Sequence, residues 1–87
     1  MKDATVRIIC PQGLHMRVAA QIVEKSKKFK SKIMLCKDCT RADGCSILQL
    51  LLLGATNGSE LRIEAAGQDE DIAIQELSSL FTDGGGI

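Results

Sequence analysis

Residues 4–29, ATVRIICPQGLHMRVAAQIVEKSKKF, carry the change of hydrophobic period that decides the architecture. The first part is rich in β-branched residues and reads as a strand over Asp3 to Ile9. Pro11-Gln12-Gly13 breaks that strand. Beyond the break, Ala19, Ile22, Val23 and Phe29 recur at helical spacing, with Glu24, Lys25, Lys27 and Lys28 largely on the other side. A helix over Met16 to Lys28 follows, and His15, the only histidine, falls at its N-cap. Unpaired backbone N–H groups and the positive end of the helix dipole meet at such a position, so it suits an anion. Arg17 adds a permanently charged planar donor matched to phosphate oxygens.

The rest of the chain repeats the same alternation of periods. Ser31 to Cys36 reads as a second strand with Ile33 and Leu35 on one face. A turn at Lys37-Asp38 leads to a short strand around Thr40 to Ala42. Asp43-Gly44 breaks the chain, and Ser46 is placed to cap a short helix that ends at Gly54. A strand over Glu60 to Ala65 sets Leu61, Ile63 and Ala65 on one face and Glu60, Arg62 and Glu64 on the other. The last helix begins near Asp69, whose acidic run complements the helix dipole, and its buried stripe is Ala73, Ile74, Leu77, Leu80 and Phe81. These elements predict an α+β fold, a two-layer open-faced sandwich in the order βαββαβα. No repeat or linker divides residues 1–87, so a single domain is expected, with a flexible glycine-rich tail over 83–87.

Composition excludes several function classes. With 11 basic and 11 acidic residues the net charge is zero, and only two aromatic residues are present, so nucleic-acid binding is not expected. The longest apolar run, Ile47 to Leu53, is far short of the ~20 residues that span a bilayer, so no membrane insertion is expected. Met1-Lys2-Asp3-Ala4 leads directly into a strand without a signal peptide, which points to the cytoplasm. Cys36 and Cys39 have the spacing of a metal knuckle, with Cys10 and Cys45 elsewhere. One such pair across a hairpin turn makes a weak site, and free thiols with no metal or cofactor are the default in a reducing compartment.

Two positions carry chemistry. A neutral imidazole offers a lone pair, so His15 suits phosphorylation, with Arg17 and the helix N–H groups holding the added oxygens. The same position also suits a histidine that merely caps the helix. Ser46 accounts for itself as an N-cap worth about 1 kcal/mol. The helix after it is apolar almost all round, interrupted only by Gln49. Part of that surface must stay exposed, and Ile47, Leu48 and Leu51 are the expected partner contacts.

Gly13-Leu14-His15-Met16-Arg17-Val18-Ala19 resembles the active-site signature of the HPr family, Gly-Leu-His-x-Arg-Pro-Ala. Gly44-Cys45-Ser46-Ile47-Leu48 through Leu53-Gly54 resembles the family's regulatory-serine segment, and the likeness spans residues 2 to 82. The resemblance implies a four-stranded antiparallel sheet with three helices on one face. It also implies a phosphocarrier of the sugar phosphotransferase system rather than an enzyme. A phosphoenolpyruvate-charged general enzyme would charge Nδ1 of His15, and a sugar-specific or regulatory acceptor would discharge it. Arg17 and the N–H groups of Met16 and Arg17 would bind the phosphoryl oxygens. Met16, Ala20, Ile47, Leu48 and Leu51 would dock partners, a serine kinase or phosphorylase would act on Ser46, and the carrier would be a monomer. The alternatives are a regulatory paralogue, of a nitrogen-type branch or controlled through its serine, and a metal module on Cys36 and Cys39. Val18 departs from the family proline and brings an N–H group into the first helical turn. Cys45 stands where relatives are often basic.

Overall fold

The computed structural model describes residues 1–9 and 12–82; Cys10, Pro11 and the tail over 83–87 lie outside the described residues. The elements are β1 (Lys2–Arg7), α1 (Met16–Ser26), β2 (Lys32–Lys37), β3 (Thr40–Asp43), α2 (Ile47–Leu52), β4 (Glu60–Ala66) and α3 (Glu70–Thr82), the βαββαβα order expected. The strands form one antiparallel sheet in the order β1-β4-β2-β3. Because β1 and β2 both run against β4, they are parallel to each other, with β4 inserted between them. The same holds for β3 and β4 across β2.

Strand alternation builds the core. Val6 lies opposite Leu61, Ala4 opposite Ile63, and Leu35 opposite both Ile63 and Ala42, which puts these side chains on one face of the sheet. The helices cover that face. α1 contributes Val18, Ala19, Ile22 and Val23, α2 contributes Leu50, and α3 contributes Ala73, Leu77 and Phe81. Each large side chain buried there is worth about 1.5–3 kcal/mol, which holds the three helices to one layer.

Several boundaries and one burial differ from expectation. α1 stops at Ser26 rather than Lys28, because Lys28 and Phe29 donate to carbonyls only three residues back, at Lys25 and Ser26. That tighter turn brings Phe29 half-buried against the core. β1 runs from Lys2 to Arg7, although Ile8 still pairs beyond it: its N–H donates to Ser59 O at 2.9 Å and its carbonyl accepts from Gly58 N at 2.8 Å. The β2–β3 turn centres on Asp38 and Cys39, with Asp38 at φ 55°. Glu64, expected in solvent, is buried on the helix-free face of the sheet. It lies on an inner strand, where Arg41 donates to its carboxylate at 2.8 Å and Arg62 forms an ion pair with it, also at 2.8 Å. A carboxylate removed from water persists only with such partners.

α3 begins at Glu70, with the Asp69 carbonyl accepting from Ala73 N at 2.9 Å, while the Asp69 carboxylate is engaged elsewhere. It accepts hydrogen bonds from the backbone N–H groups of Lys30 and Ser31, both at 2.9 Å, and from the Ser31 hydroxyl. This clamps the entrance of α3 to the entrance of β2. The hydrogen bond from the Ser31 side chain is the main cause holding Asp69 below the usual carboxylate range. Glu70 is lowered too, chiefly by the Gly67 N–H that donates to its carboxylate at 3.2 Å.

A carboxyl group depressed in the folded state contributes stability that is present above its unfolded value and lost as pH falls through the folded one. Asp69→Asn is therefore expected to lower the urea midpoint at neutral pH and to flatten the loss of stability in acid, so the two proteins converge below the carboxylate range. An equal gap at both pH values would show that the charge on Asp69 is not what holds the clamp.

Candidate functional site

The loop between β1 and α1 is held from outside by the loop that follows α2. Leu14 is buried and donates its N–H to Ala55 O at 3.0 Å. Gly13 has φ +73°, and a Cβ there would lie 2.6 Å from Ala55 O and 2.9 Å from Thr56 Cα. Only glycine allows both that backbone conformation and that approach. The next residue, His15, is extended, with φ −106° and ψ −179°, and stands half-buried as the N-cap of α1. Its carbonyl accepts the first helical hydrogen bond, from Ala19 N at 2.9 Å, while its side chain makes no cap hydrogen bond. Among the described residues, the N–H groups of Met16, Arg17 and Val18 have no acceptor. Helix N-termini leave such donors to ligands or water.

Arg17 is exposed, and its guanidinium forms no hydrogen bond or ion pair with the described residues. The other arginines are committed: Arg7 to Glu60, and Arg41 and Arg62 to Glu64. An uncommitted planar cation next to unpaired N–H groups and an imidazole is a place for a tetrahedral oxyanion. Val18, by contrast, is 0% exposed and anchors the first turn in the core.

Ser46 caps α2 as expected. Its Oγ accepts from Gln49 N at 3.3 Å, and Gln49 Oε1 in turn accepts from Asp43 N at 2.8 Å. A helix of six residues is about 9 Å long, so Ser46 stands at one end of α2 and the loop that pins Gly13 and Leu14 at the other. The exposed leucines lie between them. Leu50 and Leu53 are buried, Ile47 and Leu51 are partly buried, and Leu48 is 67% exposed. Met16 is 66% exposed and Ala20 is half-buried. The expected contact set omitted Leu52, which is 71% exposed. Its signal was the i, i+4 relation to Leu48, which puts both on one helix face. Ile9, also exposed, leads into the His15 loop.

Cys36 is buried, whereas Cys39 and Cys45 are exposed, and all three are free thiols. Among the described residues no group of three or more His, Cys, Asp or Glu side chains is placed to hold a metal ion. The described helices include none long and apolar enough to cross a membrane.

Residues 2–83 match the family model described as the PTS HPr component phosphorylation site. The chain is 40% identical over 77 residues to the phosphocarrier protein HPr of Treponema pallidum, covering 88% of each chain. With that of Haemophilus influenzae it shares 39% over 81 residues, covering 93% of this chain and 95% of the other. It superposes on the crystal structure of HPr from Thermoanaerobacter tengcongensis with a TM-score of 0.93 at 36% identity, over 100% of this chain and 98% of that one.

Gly13→Ala tests how the His15 loop is held. Left-handed backbone at a non-glycine residue costs about 1–3 kcal/mol, and the contact with Ala55 O adds to it. A fall of about 2 kcal/mol or more in urea-denaturation stability is expected. An unchanged midpoint would mean that the loop is not held by this close approach.

Proposed function

Since the chain belongs to the HPr family, the phosphocarriers of the phosphotransferase system, we propose that His15 is the residue that receives the phosphoryl group and passes it on. The observation that carries this assignment is the meeting, at one N-cap, of an imidazole, unpaired helix N–H groups and an uncommitted arginine.

The lone pair on Nδ1 of His15, with the proton held on Nε2, attacks phosphorus on a donor phosphohistidine. A nitrogen–phosphorus bond forms at Nδ1 as the donor's breaks. The donor nitrogen leaves with the bonding pair as a neutral imidazole, and the two rings exchange charge states without a net proton. The Met16 and Arg17 N–H groups and the Arg17 guanidinium take the equatorial oxygens, where charge accumulates in the transition state. Transfer to an acceptor is the same step in reverse. One HPr-like domain acting as a monomer suffices, charged by the general enzyme that phosphoenolpyruvate phosphorylates and discharged by a sugar-specific or regulatory acceptor.

The apolar face of α2, with Met16 and Ala20 of α1, is the surface on which those partners dock. Leu48 and Leu52 are the most exposed leucines of α2 and would bury the most new area there. Ser46 adds a point of control. A phosphoryl dianion on its hydroxyl would stay compatible with the helix end it caps but would set a charge beside this apolar face, which an acidic partner would reject.

Incubation with phosphoenolpyruvate and the general enzyme is expected to give an acid-labile, base-stable phosphohistidine, seen by phosphorus NMR and by mass, that His15→Ala abolishes. A label surviving in His15→Ala, or absent from the native chain while a control carrier is charged, would refute the assignment. Leu48→Asp is expected to keep the urea midpoint, because its side chain is exposed, and to weaken association with the general enzyme about tenfold or more. Undiminished association would remove Leu48 from the docking face.

A further inference from the structure

We infer that the backbone N–H of Val18 is a third donor to the phosphoryl group carried on His15, beside those of Met16 and Arg17; this rests on the carrier assignment above. Val18 is the third residue of α1 after the His15 N-cap. In helices, the N–H at that position is one that the N-cap side chain addresses. α2 shows the arrangement directly, for Gln49, third after the Ser46 cap, donates its N–H to Ser46 Oγ. At α1 the equivalent bond is missing: His15 makes no side-chain cap, and the Val18 N–H has no acceptor among the described residues. The first N–H taken up by the helix is that of Ala19.

The donor is also fixed in direction. Val18 is fully buried between α1 and the sheet, so its peptide is oriented by core packing before any ligand arrives. A tetrahedral group bonded to a ring nitrogen of the N-cap residue brings its oxygens to the mouth of the helix, where this N–H points. The phosphoryl oxygen then supplies the cap that the bare imidazole does not. Proline, which the HPr signature has at this position, cannot make this bond because it lacks the N–H. The valine thus gives this carrier a donor that reaches the phosphoryl group only in the charged state. Its consequence is a phosphohistidine held more tightly, which shifts the transfer equilibrium toward the carrier.

Nitrogen-15 and phosphorus NMR on the full chain, before and after charging with phosphoenolpyruvate and the general enzyme, tests this. The Val18 amide proton is expected to move strongly downfield together with those of Met16 and Arg17, and to show coupling to phosphorus across the hydrogen bond. Movement of Met16 and Arg17 with Val18 unmoved would overturn the Val18 role and leave the carrier assignment standing. No phosphohistidine resonance at all would overturn the carrier assignment and this inference with it. Val18→Pro gives a second readout through a thermodynamic cycle. Any packing effect of proline lowers both forms alike and cancels in the difference between charged and uncharged stability. The gain on charging is expected to shrink by about tenfold in the equilibrium constant, the worth of one hydrogen bond to a charged group. An undiminished gain would overturn the proposal.

Discussion

The loop over 12–15 has few backbone partners of its own, and the loop over 54–59 supplies them. Leu14 donates to Ala55, Ile8 exchanges hydrogen bonds with Gly58 and Ser59, and Gly13 lies flat against Ala55 and Thr56. Buried backbone groups must be paired, so this contact determines where the chain leaves the sheet and at which residue α1 starts. If that docking were lost, His15 would have no reason to be extended, and the helix would lose the N-cap that collects its unpaired N–H groups. The split order of the strands makes the contact possible, since β1 ends and β4 begins at the same end of the sheet.

Charge is distributed so that this end of the molecule keeps an unspent cation. Arg41 and Arg62 neutralise Glu64 on the helix-free face, Arg7 pairs with Glu60, and Lys25 pairs with Glu76 between α1 and α3. Arg17 has no such bond among the described residues. With net charge zero, a long-range field adds little, so recognition of a phosphorylated partner falls to this local cation and to the apolar face of α2. The two surfaces are joined physically, because the loop that ends α2 is the one that pins the His15 loop.

A carrier gains from such rigid placement. The phosphoryl group must pass between two imidazoles with the attacking and leaving nitrogens in line, and small misalignments are costly in rate. α1 is anchored at its first turn by Val18 and Ala19 and at its middle by Ile22, all fully buried, so the donors at its mouth are preset. The clamp of Asp69 on Lys30 and Ser31 does comparable work at the opposite end of α1, where the chain turns back into β2.

Much of this was legible along the chain. The switch from alternating to helical period around Pro11-Gln12-Gly13 located the N-cap histidine, and Ser46 before an apolar run located the start of α2. Those features are local: period, break and cap each depend on residues within a few positions of one another. Tertiary structure alone decided the burial of Glu64 with an arginine 23 residues away, and the diversion of Asp69 to a serine 38 residues away. It alone decided that Gly13 is needed for contact with Ala55. The sequence by itself determined which elements form and where the capped helices begin, because propensity and capping act over a turn or two. Strand order and helix rotation determined which charges are buried and which leucines are free, because both are set only when distant segments compete for one core.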